Sequence, residues 1–86
     1  MPYLVYILQS LKDNTYYKGY TEDVEKRLLQ HNNGESHYTR TKMPWKLVYL
    51  AEYNTKREAL ITEKQIKRYN SEFLQKIILE YKNKVG

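Results

Sequence analysis

Arg27 and His31 stand one helical turn apart in a stripe that the sequence otherwise reserves for apolar side chains. Val24, Arg27, Leu28 and His31 fall at i, i+3, i+4 and i+7, the spacing of a helix face turned toward a core. A permanent cation and an imidazole on such a face cost on the order of several kcal/mol unless they find partners. The segment after residue 55 repeats the anomaly, because Glu63 lies in a stripe with Ala59 and Ile66, with Leu60 alongside. Alone, Glu63 reads as a boundary residue paired with a lysine, or as a structural partner of Arg27. Tyrosine is the third oddity, at 10 of 86 residues, with Tyr6 in the first β-prone run and Tyr16 and Tyr17 in the second. A phenol with an ordinary pKa of about 10 is a poor base at neutral pH, but a guanidinium beside it stabilises the phenolate. Tyr17 close to Arg27 is therefore a chemically sensible pair.

The elements that must position these groups can be read from period and punctuation. Residues 3–9 are apolar or aromatic at nearly every position, as in a central strand covered on both faces. Lys12, Asp13 and Asn14 mark a turn, and residues 15–20 form a second β-prone run, so the two pair as a hairpin. With the turn centred near Lys12, Tyr6 and Tyr17 lie close to opposite one another, and Gly19 admits a close approach of backbone to a neighbour or ligand. Thr21 is placed to cap a helix over 21–34, with Glu22 and Asp23 in its first turn and Asn33 and Gly34 as its stop. After a loop at 35–44, residues 45–53 read as a third strand. Thr55 with Glu58 forms a capping box for a second helix reaching about residue 69. Asn70 and Ser71 interrupt. Phe73, Leu74, Ile77, Ile78 and Tyr81 then line one face of a last helix packed on the sheet. The order β-β-α-β-α-α predicts a small α/β domain spanning residues 1–86, with a three-stranded, largely antiparallel sheet flanked by helices.

Composition narrows the function. A chain of 86 residues has room for one active cleft. It contains no cysteine, which excludes disulfides and thiolate metal sites and suits a reducing cytoplasm. The N-terminal run lacks the basic flank and length of a signal peptide or membrane span, so a cytoplasmic protein with no membrane partner is expected. Fifteen Lys and Arg against ten Asp and Glu give a net charge of +5 and favour an anionic partner. Residues 36–51 carry Arg40, Lys42 and Lys46, no acid, and the interleaved aromatics Tyr38, Trp45 and Tyr49. Cations for phosphates with rings for bases make a nucleic-acid surface, and a solvated loop followed by a strand with core aromatics is the plainer alternative.

The ordered residues resemble the GIY-YIG nucleases, named for two short tyrosine motifs on adjacent strands. Leu4-Val5-Tyr6 stands where the first motif would be and Tyr17-Lys18-Gly19 where the second would be, with Arg27, His31 and Glu63 following in order. The pattern is closest to small stand-alone bacterial members, which resemble this chain at Val5-Tyr6-Ile7-Leu8, His31-Asn32, Tyr38-Thr39-Arg40 and Glu63-Lys64-Gln65-Ile66-Lys67. Leu4 replaces the first motif's glycine, Lys18 the second motif's apolar middle residue, and Tyr20 a lysine found in some branches. Asn70 is a candidate for an asparagine that other branches use.

The resemblance implies a metal-dependent endonuclease acting on nucleic acid, DNA ahead of RNA, with one Mg²⁺ or Mn²⁺ ion and no organic cofactor. Tyr17 would be the general base, Tyr6 would help orient the attacking water, and Arg27 would neutralise charge on the phosphoryl oxygens. Glu63 would hold the cation, and His31 would position the phosphate or pass a proton. Lys18, Tyr38, Arg40, Lys42, Lys46, Lys64 and Lys67 would track the nucleic-acid backbone, with a protein partner as one source of specificity. The rival expectation is a nucleic-acid-binding module of the same fold with little or no cleavage. A third is an adaptor that binds a protein through its aromatic face.

Overall fold

The computed structural model describes residues 2–85. Three strands, β1 (Tyr3–Ser10), β2 (Tyr16–Thr21) and β3 (Trp45–Tyr53), form an antiparallel sheet in the order β2-β1-β3. Helix α1 (Val24–Asn32) follows β2, a 3₁₀ turn (Arg40–Lys42) precedes β3, and α2 (Lys56–Ile66) and α3 (Ser71–Val85) close the chain. The predicted α/β class and element order hold. β1 is the central strand, and its run from Leu4 to Leu8 is buried on both faces, which is why it shows no polar alternation.

Alternation along β1 divides the core in two. Val5 and Ile7 point to one face, where Ala59 and Ile66 of α2 and Leu74 of α3 cover them. Tyr6 and Leu8 point to the other, with Trp45, Tyr17 and, from α1, Val24 and Leu28. The pairing with β3 shifts between Ile7 and Leu8, so that Ile7 faces Tyr49 while Leu8 faces Leu47. That irregularity puts Val48 and Tyr49 together against the α2–α3 layer and returns Leu47 and Leu50 to the α1 layer.

Several boundaries differ from the sequence expectation. Tyr6 pairs with Gly19, and Tyr17 pairs with Leu8, so the two tyrosines are diagonal neighbours rather than opposite one another. The five residues between β1 and β2 carry no tight-turn signature, and Asn14 takes the left-handed conformation at φ 64°. α1 begins at Val24 because Asp23, not Thr21, caps it, its Oδ1 accepting from the Lys26 amide at 3.1 Å. Thr21 instead accepts from the Asp23 amide at 3.1 Å, a local turn that competes with helix initiation. The predicted stop holds: Gly34, at φ +76°, donates to the His31 carbonyl while the Glu35 amide reaches Gln30, a Schellman closure. Thr55 caps α2 as expected, accepting from the Glu58 amide at 3.1 Å. α2 ends at Ile66, three residues early, because the amides of Arg68 and Tyr69 turn back to Gln65 and Ile66 in a tighter winding. Phe73 leaves the predicted buried face of α3, being 41% exposed and stacked edge-on against Tyr69.

Candidate active site

Tyr6, Arg27 and His31 meet on the α1 face of the sheet. The Tyr6 ring lies across Gly19 so closely that a Cβ there would sit 2.5 Å from the tyrosine oxygen. Glycine at that position thus makes room for a side chain of the site. The Tyr6 hydroxyl is 3.1 Å from His31 Nε2 and accepts from Arg27 Nε at 3.4 Å. Arg27 also donates through Nη1 to Gln30 Oε1 at 3.1 Å, which fixes one side of the guanidinium. Beside it opens a shallow cleft of about 400 Å³, bordered by Tyr20, Lys26 and Gln30 among others.

His31 is fully buried and both of its ring nitrogens are engaged, Nε2 with Tyr6 and Nδ1 with Thr39 Oγ1 at 2.7 Å. It therefore has no surface with which to touch a phosphate; what it holds is Tyr6. Thr39 has no place in any apolar period, and its only sequence signal is its position within the Tyr38-Thr39-Arg40 tripeptide. The Schellman turn at Gly34 reverses the chain after α1 and allows Thr39 to return to His31. Asn32 clamps the start of β3 to the same helix, accepting from the Trp45 amide at 2.7 Å and donating to its carbonyl at 3.0 Å.

Tyr17 stands over this cluster, its ring edge-on to His31 at 4.9 Å and 6.4 Å from Tyr6 between centroids. After Tyr6, Tyr17 also helps hold the Arg27 guanidinium above its ordinary value. The Tyr38 ring lies 6.0 Å from that of Tyr17 between centroids, and Tyr38 is 65% exposed. Burial pushes the Tyr6 phenol above its ordinary value, against the lowering by the Arg27 bond, so Tyr6 keeps its proton. Burial, then the charge of Arg27, pushes His31 below its ordinary value, so the imidazole is neutral at pH 7. Its bond to Tyr6 holds Arg27 above its already high value.

Glu63 occupies the inward stripe of α2 between buried Ala59 and Ile66, its side chain 18% exposed. Its charge reaches Tyr6, where it opposes ionisation of the phenol. The structural pairing with Arg27 is not formed; the carboxylate is held by Lys67, one turn along α2, at 3.4 Å. Among the described residues no three His, Cys, Asp or Glu side chains converge as a metal cage. A single shielded carboxylate is a donor set that fits Mg²⁺ or Mn²⁺ keeping most of its waters, and does not fit zinc.

The basic residues do not form one surface. Arg40, Lys46 and Lys64 are exposed. Lys42 is half-buried and paired with Asp13 at 3.5 Å, while the Ser10 hydroxyl donates to its carbonyl at 2.7 Å, tying this loop to the hairpin turn. Lys18 faces away from Tyr17, as alternate residues of a strand must, and borders a groove with Ser71 and Gln75 of α3. Trp45 is a core residue whose Nε1 donates to the Thr39 carbonyl at 2.9 Å.

The fold is a small α/β domain whose three-stranded antiparallel sheet carries Tyr6, Tyr17, Arg27 and His31 together on its α1 side, with Glu63 on α2. Residues 2–77 match the family model described as the GIY-YIG catalytic domain. The chain is 42% identical over 77 residues to a UPF0213 protein of Staphylococcus saprophyticus, covering 88% of this chain and 93% of the relative. It is also 42% identical over 77 residues to a UPF0213 protein of Haloquadratum walsbyi, covering 88% and 85%. The solution NMR structure of a UPF0213 protein from Bacillus halodurans is 34% identical and superposes with a TM-score of 0.58, covering 91% of this chain and 83% of that one. The chain belongs to the GIY-YIG family. No described helix is long and apolar enough to cross a membrane.

Proposed function

We propose that this domain is an endonuclease that hydrolyses phosphodiester bonds in nucleic acid, DNA ahead of RNA, with one divalent cation. The observation that carries the reading is the bonded set Arg27–Tyr6–His31 with Tyr17 packed on it. Tyr17, the more accessible phenol, takes the proton from the attacking water; Tyr6, locked by two bonds, holds that water in place. Arg27 bonds Tyr6 through Nε and Gln30 through Nη1, and offers Nη2 to the phosphoryl oxygens, where negative charge builds as the bond breaks. Glu63 is the residue that would hold Mg²⁺ or Mn²⁺, whose charge would offset that of the leaving oxygen. Arg40, Lys46 and Lys64 contact the backbone on either side.

Duplex, single-stranded, branched and RNA substrates should be tested with Mg²⁺ and Mn²⁺. Cleavage should depend on the metal and fall about 10²- to 10³-fold in Arg27→Ala, the cost of removing one transition-state donor. Glu63→Ala should lose it as well, with the fold of both variants intact by circular dichroism. An intact panel under all conditions would sink the enzyme reading. The Lys67 ammonium on the Glu63 carboxylate favours a second reading, a binding module of low activity, in which nucleic-acid affinity is unchanged by Glu63→Ala.

A further inference from the structure

Glu63 and Lys67 are joined twice along one turn of α2. The Lys67 amide donates to the Glu63 carbonyl at 3.0 Å, and the Lys67 ammonium lies 3.4 Å from Glu63 Oε2. The two side chains differ in setting. The carboxylate is 18% exposed and sits between buried Ala59 and Ile66, whereas the lysine is 54% exposed at the C-terminal cap of the helix. Glu63 is therefore held in place, while the Lys67 ammonium rides on a flexible four-carbon stem and can turn away without moving the backbone.

Charge decides what this pair can exchange. Arg27 is held by Tyr6 and Gln30, so it is the lysine that supplies the counter-charge of the carboxylate. A half-exposed pair one helical turn apart weighs only about two- to fivefold in an equilibrium, because water competes for both groups. A divalent cation is drawn to a shielded carboxylate more strongly than an ammonium is, since the Coulomb attraction scales with charge. Lys67 is thus easily displaced from Glu63. Its backbone stays tethered one turn along the helix, so the displaced ammonium remains within reach of a phosphate drawn to the same cation.

We infer that Lys67 is a tethered stand-in for the divalent cation: it neutralises Glu63 until the cation takes the carboxylate, and then passes to a phosphate of the nucleic acid. The step exchanges ion pairs and makes or breaks no covalent bond. Lys67 becomes a nucleic-acid contact only when the cation binds, so cation and nucleic acid each raise the affinity of the other by the same factor. Lys64, exposed and one residue on, cannot face the carboxylate of its helical neighbour and carries no such dependence. The inference rests on the proposed role of Glu63 as the cation ligand, and not on cleavage.

Two measurements test the exchange without turnover. Mn²⁺ affinity, read from paramagnetic broadening of the Glu63 resonances, should rise about two- to fivefold in Lys67→Met, and less in Lys64→Met, which removes an equal charge. Binding of a labelled DNA duplex across a range of salt is then followed in a Tyr17→Phe background, which keeps the DNA intact. Without Mn²⁺, adding Lys67→Met should leave the logarithmic salt slope unchanged; with Mn²⁺, it should reduce the slope by about one. Lys67→Gln should reproduce both results, and circular dichroism reports that each variant is folded. A slope reduced equally with and without Mn²⁺ makes Lys67 a plain backbone contact and overturns the exchange. A slope unaltered in both conditions overturns it too, as does equal Mn²⁺ affinity in wild type and Lys67→Met. Each of those results leaves the cation on Glu63. Absence of Glu63-dependent broadening in every variant instead removes the cation from Glu63, and the exchange falls with it.

Discussion

Tyr6 and Tyr17, neighbours on paired strands, have different surroundings. Tyr6 is desolvated and bonded on both sides, which keeps it a neutral phenol, whereas Tyr17 is only partly buried, in an aromatic cluster with His31, Tyr38 and Trp45. His31 has an equally definite consequence. Its value is depressed below the ordinary 6.5, so the unfolded chain binds a proton more readily than the folded one. The stability that neutral His31 contributes is complete above pH 6.5 and is lost as pH falls through the depressed value. The melting temperature should therefore decline as pH is lowered from 7.5 to 5, and more steeply than in His31→Gln; equal slopes would contradict a buried neutral imidazole. Arg27, His31 and Glu63 were legible in the sequence because each breaks an apolar stripe, a conflict that a period exposes. Thr39 was not, because a small polar residue in an aperiodic loop breaks nothing and its burial follows only from the chain reversal at Gly34. The partner of Glu63 was half legible: a lysine one turn along was among the expectations, and it prevails over Arg27, which Gln30 and Tyr6 already hold.

The hairpin sets the site's geometry through register. With Tyr6 opposite Gly19, its ring crosses β2 where no side chain stands, and the hydroxyl arrives at α1 between Arg27 and His31. Gly19→Ala inserts a methyl 2.5 Å from that oxygen, and the rigid ring cannot move without leaving both partners. Destabilisation of about 1–3 kcal/mol, the range for overpacking, is expected in chemical denaturation. The same variant should lose the Tyr6–His31 bond, visible as a shift of the His31 ring nitrogens. A Gly19→Ala protein with wild-type stability and ring shifts would show that Tyr6 does not lie over Gly19. Strand identities were readable from apolar runs, but pairing was offset because the turn lacks the dipeptides that fix a short hairpin. Helix ends shifted for a related reason, in that Thr21 and Asp23 are both competent caps and only tertiary structure chose between them.

At the scale of the molecule the net charge is +5, and some of its fifteen cations are already paired with acids. Lys42 and Lys67 are paired with Asp13 and Glu63, and Lys18 lies on the face away from Tyr6 and Tyr17, which leaves Arg40, Lys46 and Lys64 as the exposed, unpaired cations among the basic residues expected to track a nucleic acid. Binding to nucleic acid should weaken with salt, and Lys46→Gln or Lys64→Gln should each reduce the logarithmic salt slope by about one. Lys18→Gln should leave the slope unchanged; an equal loss there would place the nucleic acid on the other face. All of this presumes that Tyr17, Arg27 and Glu63 belong to one cation-dependent centre on two helices and a strand. A Mn²⁺ titration followed by paramagnetic broadening in NMR tests that most directly. The first resonances to broaden should be those of Glu63, Tyr6, Tyr17 and Arg27, with Lys67 shifting as it leaves the carboxylate, and Glu63→Gln should abolish the effect. Broadening scattered over the exposed acids Glu22, Glu25, Glu72 and Glu80, and unaltered by Glu63→Gln, would contradict it.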